Sequence, residues 1–486
     1  MKRMLTSLLA ALAVFSISAA TLDLAGDGWR LEGKVEGNVG EILLPVRVPC
    51  DVQTALFDAG KLIDPSWGDN ELKAQWPGEQ DWTYSREFDI SADFLENDSI
   101  ILRIEDCDTF CTVTVNGEVA GVTSNRFMRY DFDAKPFLKL GRNTISGFFK
   151  SPEVVAEELK KLYPDIPYGV ANVKPNLTEG MPLIRKPACH GGWDWGLAQM
   201  VVGFCGKVEL IGTKAARIDY VYCDQTISSD MVFAKVTVNV EAFAPKAGEV
   251  PFTVALGSET RTETRSLAAG VNKVKFDFAI ENPRLWWPVG EGEQNLYPLS
   301  VKTPDIEVAK KIGLRTARLL NEKYIDDQSG EERLSFAFEV NGRRIFAKGA
   351  NWIPADAFDA RQEAKYRPLL EAARAANMNM IRVWGGGQFE RDSFYAICDE
   401  LGLMVFHDFM FGCSRNPVDP WFMDLVEAET RHQVKRLRDV PSIVLWAGDN
   451  ECIGTALGYH VATGPEADRP RRVAHWVDCW KKRTAK

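Results

Sequence analysis

The stretch NMNMIRVWGGGQFERDSFYAICDELGLMVFHDFMF, residues 377–411, decides the fold of the C-terminal part of the chain. It begins with an apolar run, MIRV, that predicts a buried strand. Apolar residues then follow at the helical spacing i, i+3, i+4 and i+7: Phe394, Ile397, Cys398 and Leu401. Gly402 predicts the end of that helix, because glycine readily adopts the left-handed conformation of helix C-termini. The run LMVF predicts the next strand.

The same alternation continues on both sides of this stretch. RIFAKGANW, residues 344–352, predicts a strand, and Pro368 is predicted to begin a helix. One face of that helix is formed by Leu369, Leu370 and Ala373. Residues 420–439 predict a third helix and residues 443–447 a fourth strand. Alternating strands and helices favour a parallel sheet, with a (β/α)8 barrel as the leading candidate.

Polar or glycine-rich residues follow each predicted strand: Asn351, residues 382–387, Asp408 and residues 449–451. Barrel active sites are assembled at the C-terminal ends of the strands, so we expect these side chains to face a substrate together. A full barrel needs about 250 residues. We therefore expect residues 335–486 to form only the first half of a (β/α)8 barrel.

The N-terminal part of the chain has the pattern of β-structure. Trp82, Tyr84, Phe88 and Ile90 alternate with polar residues, as in half-buried strands. Asn116-Gly117 between two such runs predicts a hairpin. Residues 21–212 are therefore predicted to form a jelly-roll-like β-sandwich. Shorter alternating strands in residues 213–303 are typical of an immunoglobulin-like sandwich, followed by a linking segment, residues 304–334.

Residues 1–20 have the features of a signal peptide: a basic start, an apolar stretch and a small-residue cleavage site. We expect export to the periplasm or outside the cell, with no membrane span after its removal. The net charge of −10 argues against nucleic-acid partners. Ten cysteines in 486 residues do not form a small disulfide framework, and no HExxH motif is present, so we expect no metal and no cofactor.

Several long motifs carry a family resemblance: GGWDWG at 191–196, LWWPVGEGEQNLY at 285–297, KGANWIPADAF at 348–358, the stretch at 377–411 and WAGDNE at 446–451. Together, in this order, they resemble glycoside hydrolase family 2, most of all its β-mannosidase branch. The resemblance runs from about residue 22 to about residue 455. It implies two β-sandwiches followed by a (β/α)8 barrel, and a retaining exo-glycosidase.

By this resemblance Glu451 is the general acid/base and Asn450 holds the 2-hydroxyl of the sugar. The apolar strand around Trp446 would shelter Glu451 from water, which favours the protonated acid that a poor leaving group needs. The alternative for Glu451 is a salt-bridged carboxylate on the rim of the barrel.

The same resemblance assigns further substrate-binding residues. Trp384 would form a wall of the mannose subsite, or else pack inside the barrel, and Arg382 would orient the nucleophile. Asp194 would bind mannose hydroxyls between Trp193 and Trp195, or else be a turn residue beside two core tryptophans. Asp408 is a further candidate for this site, with a structural role as the alternative. The relatives usually continue WDWGP, where this chain has Leu197.

The nucleophile expected for this family is a second glutamate on a late barrel strand. Glu466 is the one glutamate after Glu451, and no strand-like pattern precedes it in the sequence. We therefore expect the nucleophile to be missing from this chain.

The predicted function is hydrolysis of terminal non-reducing β-D-mannose from an oligosaccharide or glycoconjugate with retention, incomplete in this chain. One alternative is an inactive truncated fragment or a carbohydrate-binding remnant. Another is a different family 2 specificity: glucuronidase, galactosidase or glucosaminidase.

Overall fold

The computed structural model of the protein describes residues 21–34, 41–163, 180–414 and 416–452. The predicted signal peptide and Glu466 lie outside these residues. No helix in the described part of the chain is both long and apolar enough to cross a membrane.

The first region is a β-sandwich. Its strands are β1 Thr21–Asp23, β2 Gly26–Lys34, β3 Glu41–Val48, β4 Cys50–Asp51, β5 Trp82–Ile90, β6 Ser99–Glu105, β7 Cys107–Asp108, β8 Phe110–Val115, β9 Glu118–Thr123, β10 Arg129–Asp133, β11 Gly141–Lys150, β12 Gly203–Phe204 and β13 Val208–Thr213. Its helices are α1 Val52–Asp58, α2 Ala92–Leu95 and α3 Pro152–Leu162. The sheets have the orders β1-β13-β6-β10, β3-β2-β5-β11-β8-β9 and β4-β12-β7.

The core of the first sandwich is aromatic. The ring of Phe204 lies 5.4 Å from Trp29 and 4.9 Å from Phe149. The four apolar residues predicted to face inwards from β5 are all buried, as the alternation requires. The predicted hairpin is also confirmed: Asn116 and Gly117 join β8 to β9 with φ angles of 53° and 86°.

The second region is a smaller sandwich of two antiparallel sheets, with orders β14-β15-β18 and β17-β16-β19-β20. Its strands are β14 Arg217–Ile227, β15 Phe233–Ala244, β16 Gly248–Leu256, β17 Glu259–Leu267, β18 Gly270–Glu281, β19 Tyr297–Lys302 and β20 Glu307–Ile312. The segment predicted as a link contains β20 and three short strands, β21 Ala317–Leu320, β22 Lys323–Ile325 and β23 Glu332–Leu334. It leads into β24 Ala337–Val340 and β25 Arg343–Ile345, which pair antiparallel.

The third region is a four-stranded parallel sheet of order β26-β27-β28-β29. The strands are β26 Gly349–Trp352, β27 Met380–Val383, β28 Met404–Asp408 and β29 Ile443–Ala447. Helices α4 Glu363–Ala375, α5 Asp392–Leu401 and α6 Pro420–Leu437 connect them in turn. Gly402 ends α5 with a φ of 73°, as predicted. The predicted alternation of strand and helix is therefore confirmed.

Three details of this region were predicted wrongly. Helix α4 begins at Glu363, not at Pro368, because a 3₁₀ turn at Asp359–Arg361 leads directly into it; Pro368 lies inside the helix, where it supplies no N–H donor. Leu369 is 44% exposed and does not lie on the buried face, which Tyr366 and Leu370 form.

The segment RIFAKGANW forms two strands instead of one. The chain leaves β25 at Ile345 and enters the parallel sheet at Gly349. A Cβ atom at Gly349 would lie 1.8 Å from the carbonyl oxygen of Met380, so this close approach to β27 requires glycine.

Candidate active site

Arg382, at the end of β27, connects the predicted strand ends. Its Nη2 donates to Asp408 Oδ2 at 2.7 Å and to Asn450 Oδ1 at 3.0 Å. Its Nε donates to Asp408 Oδ1 at 3.2 Å, and its Nη1 to Asn351 Oδ1 at 3.4 Å. We call these four residues the strand-end network. The prediction that all four strand ends bring polar side chains together is confirmed.

Asp408 is fully buried beneath this network. Burial raises the pKa of its carboxyl group to about 6, although the guanidinium of Arg382 and the backbone N–H of Gly385 both favour the ionised form. The Gly385 N–H donates to Asp408 Oδ2 at 3.0 Å. Because both carboxylate oxygens accept hydrogen bonds from the protein, the structure favours a role for Asp408 in orienting Arg382.

Asn450 and Glu451 follow β29 and differ in exposure. Asn450 is buried, whereas Glu451 is exposed and has a φ of 55°. The predicted shelter from Trp446 is not found, because that ring packs on His407 and Phe409, with centroid distances of 4.9 and 5.3 Å. The prediction of a desolvated Glu451 is therefore wrong for the part of the chain that the structure describes.

Three tryptophans form a second cluster beside the strand-end network. The ring of Trp384 lies 4.7 Å from Trp193 and 5.4 Å from Trp195, edge to face in both pairs. Trp384 is 6% exposed and Trp195 is 41% exposed. Asp194 is exposed at the turn between the two first-sandwich tryptophans. We call the three rings the tryptophan cluster. It joins a loop of the first sandwich to the end of β27.

Backbone contacts hold this loop against the parallel sheet. The N–H of Cys189 donates to the carbonyl oxygen of Gly386 at 2.9 Å. A Cβ atom at Gly386 would lie 1.8 Å from the ring of Trp384, so glycine is needed where the two segments meet. Farther back, Arg185 forms a buried bidentate ion pair with Glu429 of α6, at 2.7 and 2.9 Å. The first sandwich therefore forms one wall of the site.

Sequence reasoning missed Cys413, Arg185 and Glu429. The thiol of Cys413 donates a hydrogen bond to Glu451 and accepts one from the Asn450 amide. Arg185 and Glu429 are 244 positions apart in the chain. Neither the thiol nor the ion pair belongs to a periodic pattern, and one sequence alone does not reveal which distant charges meet.

Comparison with known proteins gives matches to two family models. One, described as glycosyl hydrolase 2 galactose-binding domain-like, matches residues 29–206. The other, described as glycosyl hydrolases family 2, matches residues 216–315. They correspond to the first and second sandwiches.

Sequence relatives include β-mannosidase B of Emericella nidulans, 35% identical over 90% of this chain and 51% of the relative. The β-mannosidase of Bos taurus is also 35% identical, over 90% of this chain and 50% of its own length. A crystal structure of β-D-mannosidase from Dictyoglomus thermophilum has a TM-score of 0.80 and 34% identity, covering 89% of this chain and 52% of that one.

The chain thus spans about half the length of the curated relatives that it matches. The two matched domains, their order and the long similarity to β-mannosidases confirm the resemblance read from the motifs. The chain belongs to glycoside hydrolase family 2.

Proposed function

We propose that the chain supplies the mannose-binding side and the proton donor of a retaining exo-β-mannosidase active site. The observation that carries this proposal is the meeting of the tryptophan cluster with the strand-end network. Two first-sandwich tryptophans contact Trp384, which is two residues after Arg382. An aromatic wall beside convergent polar groups is a chemistry suited to a sugar.

Asn450 and Glu451 would act at the bond that is cleaved. Glu451 would protonate the glycosidic oxygen while a second carboxylate, about 5–5.5 Å away, attacks the anomeric carbon. Glu451 would then remove a proton from water, which displaces that carboxylate and restores it. Asn450 has its Oδ1 occupied by Arg382, so an N–H of its amide would donate to the 2-hydroxyl.

Asp194 would hold the sugar at its other end. Its carboxylate is exposed at the turn between Trp193 and Trp195. A carboxylate can accept hydrogen bonds from two adjacent hydroxyl groups, and the neighbouring rings can cover an apolar sugar face.

We propose that the nucleophile lies outside the described residues. The oxygens of Asp408 accept from Arg382 and Gly385, which makes this carboxylate a poor nucleophile. We propose further that β26–β29 are the first strands of a (β/α)8 barrel, because they are parallel, sequential and joined by helices. A retaining reaction needs two carboxylates, and we do not assign Glu466 as the second one, so we expect no turnover of nitrophenyl β-mannoside by this chain alone.

Sugar binding tests the proposal independently of turnover. Methyl β-mannoside should bind to the purified chain. Trp384→Ala should weaken binding about tenfold or more, because the buried Trp384 ring holds Trp193 and the more exposed Trp195 in place as the wall. Trp67→Ala is the matched control, because Trp67 is 79% exposed on the first sandwich and outside the tryptophan cluster. Calorimetric titration gives both affinities. Equal losses in both variants, or stronger binding of a β-glucuronide, β-galactoside or β-glucosaminide, would refute the mannose site.

A carbohydrate-binding remnant without catalysis is the second candidate, favoured by the exposure of Glu451. Azide can distinguish the two functions because it can replace an absent carboxylate as the nucleophile. A competent proton donor should give azide-dependent release of nitrophenol with formation of mannosyl azide, and Glu451→Gln should reduce it. Sugar binding without any azide-dependent release would favour the remnant.

We also propose that the protein is exported, on the strength of the features in residues 1–20. Mass spectrometry of the protein purified from its source should find an N-terminus near Thr21. An intact Met1 on protein recovered from the cell interior would contradict export.

A further inference from the structure

Cys413 occupies a central position in the candidate active site. Its thiol lies 3.4 Å from Glu451 Oε2, a hydrogen-bond distance for sulfur. Asn450 Nδ2 donates to the same sulfur at 3.2 Å. The backbones of the two segments are also hydrogen-bonded: the Cys413 N–H donates to the carbonyl oxygen of Asn450 at 2.8 Å. Cys413, in the loop that follows β28, therefore touches both residues assigned to bond cleavage.

These contacts extend the strand-end network to the acid. Hydrogen bonds run from Asp408 through Arg382 to Asn450, then through Cys413 to Glu451. Arg382 needs the oxygen of the Asn450 amide, so the nitrogen of that amide must point towards the sulfur. One amide N–H then binds Cys413, and the second is left to point elsewhere.

We propose that Cys413 is a positioning residue: its thiol orients the carboxyl group of Glu451 and fixes the orientation of the Asn450 amide. The assignment of these two residues to catalysis rests on the proposed function. The contact itself can be tested without any reaction.

The surroundings of the thiol suit a donor. Cys413 is buried, and desolvation together with the neighbouring Glu451 carboxylate raises its pKa to about 12. The other groups that face it are the thiol of Cys452 and the amide of Asn450. Cys413 is therefore an S–H donor at neutral pH, which is the form that can bind a carboxylate.

Thiol reactivity tests the contact in the protein as it exists. The rate of Cys413 alkylation by iodoacetamide is measured between pH 7 and pH 10 by mass spectrometry of its peptide. Glu451→Gln removes the carboxylate, so more thiolate forms and the rate at a fixed pH should rise about tenfold. Asp449→Asn changes the carboxylate two positions before Glu451 and is the control. It should leave the alkylation rate within about twofold. Equal rates in wild type and Glu451→Gln would overturn the proposal.

Serine rescue tests the positioning role. Cys413→Ala should weaken the binding of methyl β-mannoside about tenfold, because the Asn450 amide loses a partner, and Cys413→Ser should restore most of it. Loss in both variants would mean a packing role only and would overturn the proposal. If methyl β-mannoside does not bind to wild type at all, the proposed function fails, while the alkylation result still decides whether Cys413 contacts Glu451.

Discussion

Both sandwiches meet the parallel-sheet region through ion pairs, and individual pairs differ widely in exposure. At the first sandwich, the ion pair between Arg185 and Glu429 has side-chain exposures of 3% and 1%. At the second, the pair between Arg438 and Asp224 has exposures of 41% and 50%. Buried pairs impose a specific geometry at a high desolvation cost, whereas exposed pairs contribute little. The Arg185–Glu429 pair therefore fixes its geometry more strictly than the Arg438–Asp224 pair. The second junction also holds Lys310 against Asp439, whose side chain is 3% exposed.

A fully buried polar cluster lies in the first sandwich close to the candidate site. Each sandwich has one large apolar cluster at its core, and the second also buries Arg217 and Glu241. The first sandwich buries Lys186, whose Nζ lies 2.8 Å from His190 Nδ1 and 3.4 Å from Asp108 Oδ1. This polar cluster lies in the segment that leads to Trp193 and Asp194. A buried polar cluster therefore supports the loop by which the first sandwich contributes to the candidate site.

The largest effect is expected from breaking the first junction. Arg185→Met should lower the free energy of unfolding by about 3–5 kcal/mol, because it leaves the buried carboxylate of Glu429 without its partner. Its guanidinium also lies 4.4 Å from the ring centre of Phe411, and this contact is lost as well. Urea unfolding followed by tryptophan fluorescence measures the change.

Arg438→Met is the matched control at the second junction. It removes an exposed ion pair and should lower the free energy of unfolding by at most about 1 kcal/mol. If the two variants lose similar stability, burial does not distinguish these two ion pairs.

A smaller, pH-dependent effect is expected beneath the second junction. Burial raises the pKa of Asp399 to about 7, and the Ser442 N–H donates to its Oδ1 at 3.0 Å. The folded state thus binds a proton that the unfolded state releases near pH 4. Stability from this group is fully present below pH 4 and is lost as the pH rises through 7.

Asp399→Asn should remove this pH dependence. The amide oxygen can still accept from Ser442, and the variant should become more stable than wild type above pH 7, by roughly 1–4 kcal/mol. Urea midpoints of both proteins from pH 4 to pH 8 measure the difference. A constant gap between the two proteins over this range would contradict the raised pKa.

Much of this architecture follows from local patterns in the sequence. Burial repeats every second residue in β5 and at helical spacing in α5, and both elements were predicted from that alternation. Gly402 marked the end of α5 because a positive φ favours glycine. The convergence of Arg382 and Asp408 followed from the geometry of parallel strands.

The parts that were missed depend on distant contacts. The start of α4 is set by the preceding 3₁₀ turn, and the break before β26 by the close approach of Met380 to Gly349. The exposure of Glu451 depends on how the chain turns after β29. None of these features has a local pattern, because each is decided by which segments meet in space.

The smallest effect is expected where the first sandwich touches the parallel sheet through backbone. Gly386→Ala should lower the free energy of unfolding by about 1–3 kcal/mol, because the new Cβ atom would overlap the ring of Trp384. It should also weaken methyl β-mannoside binding, since the tryptophan cluster must shift. Gly448→Ala is the control, because a Cβ at that position meets nothing within 4 Å. Urea unfolding measures the stability of the two variants, and calorimetric titration measures their affinity for methyl β-mannoside. The overlap lies where the first sandwich contacts the parallel sheet. Unchanged binding in Gly386→Ala would therefore mean that the tryptophan cluster is not part of the sugar site, and that this contact has only a structural role.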